Sequence, residues 1–108
     1  MDILSKADIE FVEHILMPYF MVKKVQFDYY PSKHPSGAKY PDIWLEMNRV
    51  PRIVVTKEWK RQDMHERRKR LVHEFLHIRG LEHDEAIGFS TFPWRDSYSV
   101  RVYREIIQ

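Results

Sequence analysis

His73-Glu74-Phe75-Leu76-His77-Ile78-Arg79-Gly80-Leu81-Glu82-His83 is the stretch from which the rest of the chain can be read. As a pattern it is H-E-x-x-H-x-x-G-x-x-H. On a helix, residues four apart stand one above the other, so His73 and His77 face the same way and can share one metal ion. Glu74 is turned about 100° from His73, too far round to join easily as a ligand, yet able to reach a water beside the ion. Gly80 is the residue type that accepts the left-handed backbone closing a helix. After such a turn the chain can swing His83 back as a third ligand. Three protein ligands and one open position are what a catalytic zinc requires.

The neighbours bear on the same point. Leu71, Val72, Phe75, Leu76 and Ile78 fill the remaining arc of the helix, which predicts burial on most sides. Imidazoles there need partners, because unpaired buried polar groups are costly. The alternative is a surface helix with two solvated histidines. Asp63, followed three residues on by Glu66, has the pattern of a helix start, so the helix is expected from near Asp63 to Gly80. Residues 57–70 carry seven basic side chains (Lys57, Lys60, Arg61, Arg67, Arg68, Lys69, Arg70) against Glu58, Asp63 and Glu66. They read as a solvated face with Trp59 packed beneath. Phosphate binding is the other reading. Arg70 is set apart, because the helical period places it on the histidine side.

Upstream, Ser5-Lys6-Ala7-Asp8 resembles a capping box with Asp in place of Glu. Ile9, Phe11, Val12, Ile15 and Leu16 follow at helical spacing, and Pro18 is expected to end that first helix. Glu10, Glu13 and His14 fall on its solvent face. Residues 22–30 alternate and are β-rich, with Val25, Phe27 and Tyr29 on one face. His34 lies in a loop by composition. Residues 43–47 and 52–56 make two more strands; the short link favours an antiparallel hairpin, and the apolar run Ile53-Val54-Val55 favours a central position. Beyond His83, residues 84–89 suit a short helix. Residues 98–108 fit either a strand or a helix, with an apolar face that must dock on something. The expected fold is α+β: about three strands packed against an N-terminal helix and a long histidine helix, with a docked C-terminal segment.

At 108 residues the chain is expected to form one domain, residues 1–108. With 44% apolar and 31% charged residues it has a globular composition. No apolar run is long enough to span a membrane, and the start lacks a basic-then-apolar secretory layout, so a cytoplasmic location without a membrane partner is expected. With no cysteine, any metal must rest on nitrogen and oxygen ligands. A net charge of +2 does not by itself argue for a nucleic-acid partner.

The histidine pattern alone fits the metzincin proteases, but those carry a methionine turn downstream, and here the last methionine is Met64. Nearly the whole chain instead resembles the minigluzincins, minimal soluble zinc metallopeptidases. They are similar to the catalytic domains of integral-membrane zinc peptidases of the prenyl-protein endopeptidase and heat-shock group. The run Arg52-Ile53-Val54-Val55-Thr56-Lys57-Glu58-Trp59 resembles the strand and turn before the zinc helix of that group. The resemblance implies a zincin-like domain holding one catalytic Zn2+ on His73, His77 and His83, the last being the only histidine beyond His77. It implies Glu74 as general base and acid, and a peptide or protein substrate paired along the strand that carries Trp44, Leu45 and Glu46. Tyr98, Arg95 and Tyr103 are candidate oxyanion donors.

The resemblance also implies latency through the C-terminal segment. Residues 93–108 would lie across the cleft in a monomer or swapped into a dimer, with Asp96 as a carboxylate for zinc's open position; plain core packing is the alternative. Two other functions compete. The three-histidine spacing, with Leu81 and Asp84, also resembles a bacterial rRNA-maturation endoribonuclease family, which lacks the glutamate after the first histidine. A non-catalytic binding module stabilised by zinc would need a fourth ligand, such as Asp84 or Asp96.

Overall fold

A computed structural model describes residues 3–31, 42–80 and 98–108. The fold is α+β, as expected: five helices and a three-stranded sheet among the described residues. Helix α1 (Lys6–Phe11) starts at Ser5, whose hydroxyl oxygen accepts the Asp8 N–H. The reciprocal arm of a capping box is not made. The Asp8 carboxylate instead accepts from Arg67 Nε at 2.9 Å.

Pro18 does not end this helix. The chain continues through a π-helical stretch (Val12–Leu16) into α2 (Met17–Phe20), which has Pro18 in its first turn. A proline ring in an ordinary α-helix collides with the carbonyl four residues back. Here Met17 N–H reaches the Val12 carbonyl five residues back, a wider turn immediately ahead of the ring. The wider turn shifts the apolar stripe: Leu16 and Phe20 are buried, whereas Ile15, expected inward, is 40% exposed. Helix α2 closes with Met21 in the left-handed region (φ 54°), and Val22 N–H bonds the Met17 carbonyl at 2.9 Å.

Strand β1 is shorter than expected, Gln26–Tyr30, while β2 (Ile43–Met47) and β3 (Pro51–Thr56) fall where the alternation placed them. The order is β1-β3-β2, with β3 central, antiparallel to β2 and parallel to β1. Thr56 then caps a short helix, α3 (Lys57–Lys60), that the sequence reading missed; it buries Trp59. Helix α4 (Met64–Ile78) starts at Asp63, which accepts the Glu66 N–H. It ends at Arg79, with Gly80 at φ +91°. The C-terminal ambiguity resolves to a helix, α5 (Tyr98–Ile106).

One face of the sheet (Ile43, Ile53, Val55) forms the core with Phe11, Leu16 and Phe20 of the N-terminal helices and Leu71, Val72, Phe75 and Leu76 of α4. Each such side chain contributes roughly 1.5–3 kcal/mol on burial. Helix α5 adds Val102 and Tyr103 to the same core; the Tyr103 ring meets Phe11 edge-on and its hydroxyl lies 2.7 Å from His65 Nδ1. Val100 of this helix is buried as well.

The basic face of α4 is not simply solvated, contrary to the sequence reading. Arg67, Lys69 and Arg70 are half-buried and paired with Asp8, Glu66 and Asp42. Arg67 joins α4 to α1 through a carboxylate only 2% exposed, and its Nη1 donates to the Gln62 carbonyl at 2.6 Å. Removing one partner of such a pair strands a buried charge. Arg67→Met is therefore expected to lower stability at pH 7 by roughly 3–5 kcal/mol, measured by urea unfolding. Lys57→Met, on an exposed position of the same basic stretch, should change it by less than about 0.5 kcal/mol.

Candidate metal centre

Helix α4 is buried from Leu71 to Leu76 without a break, so its polar side chains in that span are enclosed with the apolar ones. His73 is 2% exposed and Glu74 5%, while His77, one turn on, is half-buried. The four-residue spacing does what the helix period requires. The Nε2 atoms of His73 and His77 stand 3.0 Å apart, with ring planes at 87°. A carboxylate oxygen of Glu74 belongs to the same cluster, whose ligand atoms all lie within 4.8 Å of one another.

The donor set suits a divalent cation. Two nitrogens on a tetrahedral ion at about 2.0–2.1 Å are separated by roughly 3.3 Å, so the observed pair needs only a small adjustment. Glu74 is pushed up to about 8 from its ordinary value, first by burial and then by the negative charge of Asp42. Asp42 is itself raised by burial, against the opposing charge of Arg70. An enclosed carboxylate beside two imidazoles, with the negative charge of Asp42 acting on it, forms an environment that a positive ion compensates.

The structure brings together His73, Glu74 and His77. His83, expected as the third ligand, lies outside the described residues, as do Asp84, Arg95 and Asp96. Trp44, Leu45 and Glu46 lie on β2, whose outer edge is unpaired among the described residues. Only Leu45 of these packs against the core. Alternation turns Trp44 and Glu46 to the other face, where Glu46 accepts from Trp44 Nε1 and pairs with Arg52, which also pairs with Asp28. Tyr103 is committed to the α4–α5 contact through His65, and Tyr98 is the first residue of α5.

Sequence reasoning missed Asp42. It sits immediately before β2, and its cationic partner Arg70 is far along the chain, so no local pattern marks it.

Comparison of the chain with models of known protein families, with curated proteins and with solved structures finds no match.

The raised Glu74 has a consequence in protein stripped of metal. The unfolded chain loses this proton near its ordinary value of 4.5 and the folded chain near 8. Between these values the folded state holds the extra proton, so stability falls as pH rises. Metal-free Glu74→Gln is expected to match the wild type at pH 4 and to exceed it by about 3 kcal/mol at pH 7. Urea unfolding of chelator-treated proteins across pH 4–9 measures this. A pH-independent difference would mean that Glu74 is ionised in the fold.

Proposed function

We propose that the protein is a zinc-dependent endopeptidase of the minigluzincin kind, with Glu74 as general base and acid. The observation that carries the reading is the buried His73–Glu74–His77 cluster, its two imidazole nitrogens 3.0 Å apart with a carboxylate beside them. His73 and His77 would hold the ion together with His83. Zinc, when bound, polarises the peptide carbonyl and acidifies the attacking water. Glu74 takes that water's proton as the oxygen adds to the carbonyl carbon, and passes it to the amine as the C–N bond breaks. Enclosure suits this traffic, since a carboxylate of raised basicity is a better proton acceptor near neutral pH. The unpaired edge of β2 offers backbone groups to an extended substrate by strand addition.

Two further observations weigh in this direction. Arg67, Lys69 and Arg70 are engaged by carboxylates, which leaves less of the basic stretch for phosphate and disfavours the ribonuclease reading. No described helix is long and apolar enough to cross a membrane, and a cytoplasmic site of action goes with the proposal. Latency enters through Asp96, in the short stretch between His83 and the docked helix α5.

Glu74→Ala is expected to keep its zinc, measured by elemental analysis, while peptide cleavage falls by at least about a hundredfold. His77→Ala should lose both. Unchanged cleavage in the Glu74 variant would remove this residue from the mechanism, and a metal-free wild type purified with zinc present would remove the proposal. For latency, Asp96→Ala should cleave a casein-type substrate several-fold faster than the wild type at equal zinc content. Equal rates would leave the tail without an inhibitory role.

A further inference from the structure

Asp42 joins three elements. Its backbone carbonyl accepts both the N–H of Thr56 at 3.0 Å and the hydroxyl of Thr56 at 2.7 Å, tying the start of β2 to the end of β3. Its carboxylate points elsewhere: Oδ2 lies 3.0 Å from Nη1 of Arg70 on α4. Arg70 precedes His73 and Glu74 by three and four residues, which places it one turn below them on the same side of the helix. Its Nη2 lies 3.8 Å from Glu66 Oε2, and Glu66 in turn holds Lys69 Nζ at 2.6 Å. The side chains of Arg70 and Asp42 are 16% and 12% exposed, so solvent and salt screen the pair little. The β2–β3 ladder sets the strand's direction within the sheet, and the apolar contacts of Ile43 and Leu45 hold it on the core. The ion pair adds a charge attraction between the start of β2 and α4, acting through proximity rather than hydrogen-bond alignment.

We propose that Asp42 and Arg70 form a positioning pair that fixes the edge strand β2 against the histidine helix, and so sets where an extended peptide laid on β2 meets Glu74. The substrate part of this inference rests on the peptidase reading; the clamp itself does not. The ligand class it implies is a peptide long enough to pair along β2.

Asp42→Asn preserves the side-chain shape and the carbonyl that Thr56 holds, and Arg70→Met removes the guanidinium while keeping the stem. In both variants, amide hydrogen exchange over residues 43–47 should quicken about tenfold while zinc content stays at the wild-type level. With a peptide of about ten residues, long enough to lie along the strand, KM should rise several-fold. The KM of a tripeptide too short to pair should stay within about twofold of the wild type, whatever the lost charge of Asp42 does to kcat through Glu74. Asp42→Glu keeps the charge and should recover most of the lost protection. Unchanged exchange over residues 43–47 in both variants overturns the clamp. Equal rises in KM on long and short peptides overturn its role in placing substrate. If the wild type cleaves neither peptide, the peptidase reading falls, and the exchange result alone decides the clamp.

Discussion

A helix buried on nearly every side must still accommodate the polar groups in its middle, and that constraint governs this molecule. From Leu71 to Leu76 helix α4 is enclosed by the sheet and the N-terminal helices. Leu71, Val72 and Phe75 are wholly buried, and their burial anchors the helix. His73 and Glu74 are carried inside by the same packing. An enclosed imidazole and carboxylate are costly unless something compensates them, so the apolar contacts that stabilise the fold also enclose the candidate ligand atoms.

The surroundings of the helix are arranged consistently with this. Carboxylates from three elements reach its basic side chains: Asp8 from α1, Asp42 from the start of β2 and Glu66 from α4 itself. Arg67, Lys69 and Arg70 meet anions there, whereas Arg68 lies over the Phe11 ring, 4.7 Å from its centroid. The result is a polar seam along the first half of the helix, while further along Phe20 packs on Phe75 with ring centroids 5.8 Å apart.

Much of this was legible in the sequence where the signal is local. The Asp63 cap, the glycine closing α4, the two hairpin strands and the convergence of His73 with His77 all depend on spacings of two to four residues. What was hidden depends on distant partners or on departures from ideal geometry. Asp8 looked like half of a capping box until Arg67, on another helix, claimed its carboxylate. Pro18 looked like a helix terminator because the π-helical turn that accommodates it has no compositional mark. Met21 takes a left-handed conformation that a reader would have reserved for glycine or asparagine. The basic stretch suggested solvent because charge runs usually face it, and nothing local disclosed that its partners come from three separate elements.

Thr56 occupies an unusual junction. Its single hydroxyl donates to the Asp42 carbonyl and accepts the Trp59 N–H, while its own N–H bonds that same carbonyl. Strand end, helix start and the approach to the edge strand therefore share one side chain, wholly buried. Fraying at any of the three disturbs the other two, and the indole of Trp59, bonded to the Arg67 carbonyl, transmits the disturbance to the long helix. A corner bonded in this way is expected to open as one cooperative unit, releasing the β2–β3 pairing and the start of α3 together.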